Sequence, residues 1–394
     1  MGSVSAAEPT DGARVAAVDS LRCFAMTAVV AQHCGLMPFG WTGVWLFFVI
    51  SGFVVTLAVI RRPLTADQTP LDRLRGFFRR RTRRIVPVYY AYVVVGIVVC
   101  VMMASPPDLL DVLSLLGFFH NVSMGFGGGV MPGWPVGHLW TISVEMQFYL
   151  VYGTLLALAS RRTVVVLLFA ALLVTPLLRL LASWEFSRMG LDSEMSAFRI
   201  YSGPFLHADS FAVGALLAFA SQYGLLRRLA RPLAWAGAAA MVAYSTVYIW
   251  VNHSMIHAEG YDVMKNLVSG ILWGQYREVV LYSALAAASG GLVALAATGD
   301  RSLHWLLKWR LFRRIGEISY GAYILHAVAI ELAAMLLSRI ADLSEYTIAR
   351  RLLIFALAYA ITIAAAELSF RFFESRFSSS RKQLAGRTRT ATAY

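Results

Sequence analysis

Residues 43–60, GVWLFFVISGFVVTLAVI, run for 18 positions without a charged side chain. A stretch of this length predicts an α-helix that crosses a lipid bilayer, because about 20 apolar residues rising ~1.5 Å each span the hydrocarbon core. The rest of the chain resembles it in character: of 394 residues, 58% are hydrophobic and 14% are charged. Soluble domains carry about 25% charged residues. The composition therefore predicts an integral membrane protein.

Ten apolar stretches of this kind predict an all-α, polytopic bundle of about ten transmembrane helices. They lie near residues 15–37, 43–60, 84–104, 139–159, 163–182, 204–220, 233–251, 279–298, 315–337 and 351–371. No repeat and no linker divides them. We therefore expect one membrane domain over residues 15–378, with a short tail at 1–14 and a basic tail at 379–394.

The loop charges predict the orientation. With the N-terminus in the cytoplasm, the inside segments carry 25 Lys and Arg and the outside segments carry 7. Cationic residues accumulate in cytoplasmic loops, so both termini are expected on the cytoplasmic side. The membrane is expected to be the bacterial inner or plasma membrane. The net charge of +13 is thereby explained without nucleic acid. The outside loop at 105–138 has no cation, and we interpret it as a lid on the substrate side or as a flexible connector.

The first predicted helix contains Asp19, Arg22 and His33. Charged groups inside a span are costly, so each is by default a hypothesis of function. Arg22 and His33 are 11 residues apart, close to three helical turns, and should share a face. An imidazole with a pKa near 6.5 suits proton transfer at neutral pH. A hydrogen-bonded packing role for His33 is the alternative.

A second polar group lies in residues 138–149, HLWTISVEMQFY. His138 and Glu145 are seven residues apart and should share a helix face, with Tyr149 one turn further and Ser143 nearby. A buried carboxylate needs a cation or an imidazole. Glu145 could therefore form a structural pair with an arginine of another helix, or orient a catalytic imidazole as carboxylates do in triads.

The third group is the arginine cluster of residues 79–87, RRRTRRIVP. Arg81 and Arg84 are three residues apart at the predicted start of a helix and should lie on one face. Guanidinium groups bind phosphate through paired hydrogen bonds, which would suit a cytosolic co-substrate such as coenzyme A. An ordinary cationic cytoplasmic loop is the alternative. Asp209 and His326 are weaker candidates, and Asp209 could pair structurally with an arginine.

In this order and spacing, the motifs resemble the membrane-bound acyltransferase-3 family over about residues 14–377. That family includes O-acyltransferases of surface polysaccharides and of macrolide antibiotics. The segments that carry the resemblance are VDSLR at 18–22 with His33, GVWLFFVISGF at 43–53, RTRRIVP at 81–87, HLWTISVEMQFY at 138–149, Asp209 with GALLA at 214–218, and ISYGAYILH at 318–326.

The resemblance implies a ten-helix fold and transfer of an acyl group from acyl-CoA to a hydroxyl. It maps the family's catalytic Arg and His to Arg22 and His33, its Arg-x-x-Arg to Arg81 and Arg84, and its Glu to Glu145. The family's usual Glu-x-Pro reads Glu374-Ser-Arg376 here. Some members carry a further soluble domain after the last helix, which we expect to be absent.

These observations predict a membrane O-acyltransferase of antibiotic biosynthesis that moves a short acyl group, acetyl or propionyl, to a macrolide hydroxyl. Acyl-CoA would be its co-substrate, with no permanent cofactor and no metal. His33, Glu145 and Arg22 would be catalytic, Arg81 and Arg84 would bind the donor, and the supporting residues would be Asp19, His138, Ser143, Tyr149, Asp209 and His326. A surface-polysaccharide O-acetyltransferase is the alternative within this class, and a proton-coupled transporter or exporter is the alternative outside it.

Overall fold

The computed structural model describes residues 11–61, 68–268, 274, 276–340 and 348–377. Within these ranges every regular element is helical, which confirms the all-α prediction. The helices are α1 (Asp11–His33), α2 (Thr42–Ile60), α3 (Pro70–Met102), α4 (Leu109–Leu116), α5 (His120–Gly125), α6 (Trp140–Leu158), α7 (Arg161–Arg188), α8 (Ser193–Ser202), α9 (Ala208–Gln222), α10 (Leu226–Ser254), α11 (Tyr261–Val268), α12 (Arg277–Thr298), α13 (Arg301–Leu307), α14 (Arg310–Glu317), α15 (Ser319–Ile340), α16 (Ile348–Ser369) and α17 (Ser375–Phe377).

Among the described residues, eight helices are long and apolar enough to cross a membrane: α2, α3, α6, α7, α10, α12, α15 and α16, several with short extensions. The protein is therefore a multi-pass membrane protein. The other two predicted spans correspond to α1, which contains Asp19 and Arg22, and to α9, which is only 15 residues long. The count of ten and the orientation stay predictions.

The predicted tails fall largely outside the described residues. Residues 1–10 and 378–394 lie outside the described residues. Residues 11–14, which we assigned to the N-terminal tail, are instead the first turn of α1. Helix α1 therefore begins before the apolar stretch that predicted it.

The chain forms two compact units that alternate along the sequence. The first comprises the described residues of Met1–Leu64 and Ala159–Glu317, and the second comprises those of Thr65–Leu158 and Ile318–Tyr394. The first unit thus contains α1, α2 and α7–α14, and the second contains α3–α6 and α15–α17. The sequence shows no boundary of this kind, and the single membrane domain stays a prediction.

In the first unit, glycines allow α2 and α9 to pack backbone against backbone. A Cβ atom on Gly52 would lie 2.1 Å from the carbonyl oxygen of Phe211, and one on Gly214 would lie 1.9 Å from that of Val49. Small residues at helix crossings are typical of membrane proteins, where close packing takes over much of the role of the hydrophobic effect. This contact fixes the short helix α9 against a full-length apolar helix.

In the second unit, α3 begins well before the predicted span. Thr69 caps its N-terminus in a reciprocal capping box with Asp72, and Pro70 occupies the first helical position. These residue types are the usual start signals of a helix. The prediction that Arg81 and Arg84 lie at the start of a helix is therefore wrong, because both lie more than two turns inside α3.

The segment at 105–138 is attached to α3 rather than loose. The hydroxyl groups of Tyr89 and Tyr92 donate hydrogen bonds to the carbonyl oxygens of Leu115 and Pro135, at 2.9 and 2.6 Å. The carboxylate of Asp111 organises the rest of the segment by accepting hydrogen bonds from the backbone of Gly129 and Val130 and from the hydroxyl of Ser123. This disfavours the flexible-connector interpretation, and a lid role stays a prediction.

Candidate active site

Asp19 and Arg22 form an ion pair within the first unit. The Nη1 atom of Arg22 donates to Oδ1 of Asp19 at 2.6 Å, and both residues are buried. The backbone of α1 is held here by α14, because a Cβ atom on Gly316 would lie 1.7 Å from the carbonyl oxygen of Asp19. The pair compensates the charge of the guanidinium locally and fixes its orientation beside the helix.

His33 is the last residue of α1, and its side chain is accessible. It therefore lies about eleven residues, or roughly 16 Å, along the helix axis from Arg22. An accessible imidazole can receive a substrate hydroxyl, which a fully packed one cannot. Because His33 belongs to the first unit and Glu145 to the second, their approach stays a prediction.

In the second unit, Glu145, Tyr149 and Arg81 form a connected group. The hydroxyl of Tyr149 donates a short hydrogen bond to Oε1 of Glu145 one turn earlier in α6. The guanidinium of Arg81, on α3, lies over the ring of Tyr149 at 5.5 Å from the centroid. The structure therefore joins a predicted donor-binding residue to a predicted catalytic residue through a side chain that we had placed only among the supporting ones.

Arg84 lies near a further carboxylate. The hydroxyl of Tyr320, on α15, donates to the carbonyl oxygen of Ile85 at 2.8 Å. Arg84 also interacts electrostatically with the carboxylate of Glu374. Glu374 ends the π-helical turn at Phe370–Glu374 and accepts a hydrogen bond from Ser369 at 3.1 Å.

The two histidines His138 and His326 meet in the second unit, with ring centroids 4.8 Å apart. His138 lies in a 3-10 turn, Gly137–Leu139, that precedes α6. Its Nε2 atom bonds to the carbonyl oxygen of Ile324 at 3.0 Å, and Nδ1 of His326 bonds to that of Tyr323. His138 thus belongs to the 3-10 turn that runs directly into α6, and its predicted shared face with Glu145 stays a prediction.

Two further supporting candidates are buried. Ser143, on α6, is fully buried. Asp209 pairs with Arg179, whose Nη2 atom lies 2.7 Å from Oδ2 of the carboxylate. Arg179 also donates to the carbonyl oxygen of Leu206 and to the hydroxyl of Ser283, at 2.7 and 2.6 Å. The structural interpretation of Asp209, a pair with an arginine, is therefore what the structure shows.

Sequence reasoning missed Arg179, which is fully buried. Its signal was a single arginine in the apolar run of α7, and a lone charge inside a span is a recognisable cue. It also gave no role to Tyr320 and Glu374, because only the packing of α3, α15 and α16 brings them near Arg84. Among the described residues, no group of three His, Cys, Asp or Glu could hold a metal ion.

A comparison with known protein families identifies the family of the chain. The acyltransferase-3 family, described as an acyltransferase domain, matches residues 15–367. The chain belongs to this family. The match covers α1 through most of α16 and therefore includes every candidate site residue named from the sequence.

Curated relatives extend the same likeness. The chain is 27% identical over 385 residues to the peptidoglycan O-acetyltransferase OatA of Listeria monocytogenes, covering 92% of this chain and 55% of that protein. It is 25% identical over 378 residues to the putative peptidoglycan O-acetyltransferase YrhL of Bacillus subtilis, covering 91% and 54%. The chain thus spans about half the length of these two relatives. No solved structure matches it significantly.

Proposed function

We propose that this member of the acyltransferase-3 family is a membrane O-acetyltransferase that acts on a hydroxyl group of a cell-envelope glycan such as peptidoglycan. The observation that carries the proposal is the likeness over nine-tenths of the chain to two relatives named as peptidoglycan O-acetyltransferases. These relatives favour the surface-polysaccharide alternative over the macrolide acceptor that we had placed first. They also favour an acyltransferase over a transporter.

Arg81 and Arg84 are proposed to bind the acetyl donor, acetyl-CoA. Three residues apart on α3, they lie on one side of the helix, and guanidinium groups suit phosphate oxygens. Arg84 is exposed, so its guanidinium is open to a ligand from solution. The basic segment of α3 is therefore the natural docking point for a nucleotide with several phosphates.

His33 is proposed to act as the general base. It would take the proton from the acceptor hydroxyl, whose oxygen attacks the thioester carbonyl. The bond between carbonyl carbon and sulfur then breaks, and the proton passes to the departing thiolate of coenzyme A. General base catalysis contributes roughly 10²–10⁴-fold, and holding both reactants together contributes more. Glu145 and Arg22 are proposed to take part in catalysis as well, with Asp19 pairing the guanidinium of Arg22.

The acceptor class is tested by product analysis. Membranes containing the protein are incubated with isotope-labelled acetyl-CoA and with muropeptides, surface polysaccharides and macrolides in parallel, and the products are analysed by mass spectrometry. We expect labelled acetyl esters on the glycan acceptors. Label on macrolides alone would contradict the glycan proposal, and transport of a solute without any acetyl ester would contradict the enzyme.

The donor site is tested by three matched variants of one arginine cluster. Arg81→Gln and Arg84→Gln should each raise KM for acetyl-CoA, whereas Arg83→Gln, which removes the same charge from another side of α3, should change it little. Initial rates over a range of acetyl-CoA concentrations give the comparison. An equal effect of all three variants would indicate a general electrostatic attraction and would contradict a specific phosphate site.

A further inference from the structure

Tyr149 touches two parts of the candidate site in the second unit, the donor-binding residue Arg81 and the carboxylate of Glu145. The guanidinium of Arg81 lies over its ring, at 5.5 Å from the centroid, and its hydroxyl donates a hydrogen bond to Glu145. The first contact is an attraction between a cation and the face of an aromatic ring, and the second is a hydrogen bond between side chains one turn apart on α6. The two contacts use different parts of the side chain and can be removed separately.

Packing, and not only these polar contacts, fixes the ring of Tyr149. The side chain is buried, and Phe77 lies against it edge-on at 6.3 Å between centroids. Phe77 fits because Gly153 has no side chain: a Cβ atom there would lie 2.3 Å from the Phe77 ring. Phe77 and Arg81 lie one turn apart on α3, so the same face of α3 supports both the ring and the cation above it.

This arrangement makes the two contacts interdependent. When an anionic donor binds Arg81, the guanidinium turns part of its hydrogen-bonding capacity and charge toward phosphate. Its hold on the ring of Tyr149 then changes, and the hydroxyl of the same rigid side chain carries that change to Glu145. Coupling of this kind is reciprocal, so the orientation of Glu145 also affects binding at Arg81.

We propose that Tyr149 is a positioning residue that couples occupation of the donor site at Arg81 to the orientation of the Glu145 carboxylate. The inference rests on the proposed function, since it takes Arg81 as a residue that binds acetyl-CoA and Glu145 as part of the catalytic group. It adds an order of events: the carboxylate reaches its working orientation when the donor is bound.

Two substitutions separate the two contacts. Tyr149→Phe keeps the ring under Arg81 and removes the hydroxyl, so kcat should fall by about tenfold or more, and KM for acetyl-CoA should rise less than in Tyr149→Leu, because only the coupled part of donor binding is lost. Tyr149→Leu removes both, so it should lower kcat to the same degree and also raise KM for acetyl-CoA by roughly fivefold. Phenylalanine thus restores donor binding without restoring turnover, which a purely structural residue would not show.

The matched control is Tyr152→Phe in the same helix. Tyr152 is also buried, and its ring stacks on Phe148 at 4.9 Å between centroids. Its substitution removes the same atom from the next turn of α6 and should leave both kinetic constants near those of the wild type. All variants are compared as full-length protein at equal abundance in the membrane.

The outcomes distinguish this inference from the proposed function. If the wild type transfers no acetyl group from acetyl-CoA, the proposed function fails and the inference fails with it. If the wild type is active and Tyr149→Phe behaves like Tyr152→Phe, the inference is overturned and the function stands. If Tyr149→Phe and Tyr149→Leu have the same KM and the same kcat, the ring does not support donor binding and the coupling is likewise overturned.

Discussion

At the scale of single residues, the sharpest contrast is between two ion pairs of α7. Arg179 and Asp209 form a pair whose side chains are 0% and 3% exposed, whereas Arg188 and Glu185 form one whose side chains are 61% and 51% exposed. Breaking a buried pair leaves a desolvated charge behind, and breaking an exposed one does not. The first pair should therefore be indispensable for the first unit and the second dispensable.

Asp209→Ala tests this difference. It should lower the free energy of unfolding by about 3–5 kcal/mol, because the guanidinium of Arg179 stays buried with only neutral partners. Glu185→Ala is the control and should change stability little. Thermal unfolding of both variants in the same detergent gives the comparison, and equal melting temperatures would contradict a structural role for the buried pair.

Residue types and spacing predicted part of the site and could not predict the rest. The contact between Tyr149 and Glu145 follows from a spacing of four residues on a helix. The contact between Arg81 and Tyr149 joins α3 to α6, and no periodicity within one helix contains it. The same limit applies to Glu374, whose closeness to Arg84 depends on how three helices of the second unit pack.

At the scale of elements, the apolar runs predicted the existence of the long helices and misplaced several ends. The start of α3 was missed because its first turns are polar, although Thr69 and Pro70 signal a helix start. Helix α9 has only 15 residues, fewer than a full membrane span. It is fixed in the first unit by the close backbone contact between Gly214 and α2, so its position does not depend on its length. Hydrophobicity alone registers neither feature.

Gly214→Ala tests that contact. The added Cβ atom would lie 1.9 Å from the carbonyl oxygen of Val49, a backbone atom that cannot move without moving α2. We expect a loss of about 1–3 kcal/mol in the free energy of unfolding. Gly76→Ala on α3 is the control, because its Cβ atom would meet only the end of the Arg80 side chain, at 3.1 Å. If both alanines are tolerated equally in thermal unfolding, the close helix crossing is contradicted.

The segment at 105–138 should lose its order in acid. Burial alone would raise the pKa of Asp111, but hydrogen bonds from Gly129, Val130 and Ser123 outweigh it and hold the pKa below its usual value. Burial lowers the pKa of His120 from 6.5 to about 4. Both groups bind protons less readily in the folded segment, so their stabilisation is present above the unfolded pKa values and is lost as the pH falls.

Hydrogen exchange at the Gly129 and Val130 amides measures this loss. After correction for intrinsic exchange rates, their protection should fall between about pH 6.5 and pH 4 as His120 becomes protonated, and further below about pH 3.9 as Asp111 does. Asp111→Asn should reduce the protection already at pH 7. Constant protection from pH 7 to pH 4 would mean that the imidazole of His120 does not hold the segment, and unchanged protection in Asp111→Asn would mean the same of the carboxylate.

At the scale of the whole molecule, the residues proposed for the reaction are distributed over both units. His33 comes from the first, and Glu145 with Arg81 and Arg84 comes from the second. The family match over residues 15–367 includes segments of both units. The central claim is that the imidazole of His33, at the end of α1, takes the proton from the glycan hydroxyl while the acetyl group is transferred to it.

The most direct measurement is the rate of acetyl transfer from acetyl-CoA to glycan by membranes containing wild-type protein or His33→Ala at equal abundance. With the general base removed, we expect the rate to fall by about 10²–10⁴-fold while binding of acetyl-CoA is unchanged. A His33→Ala variant that transfers acetyl groups within a few-fold of the wild-type rate would contradict the account.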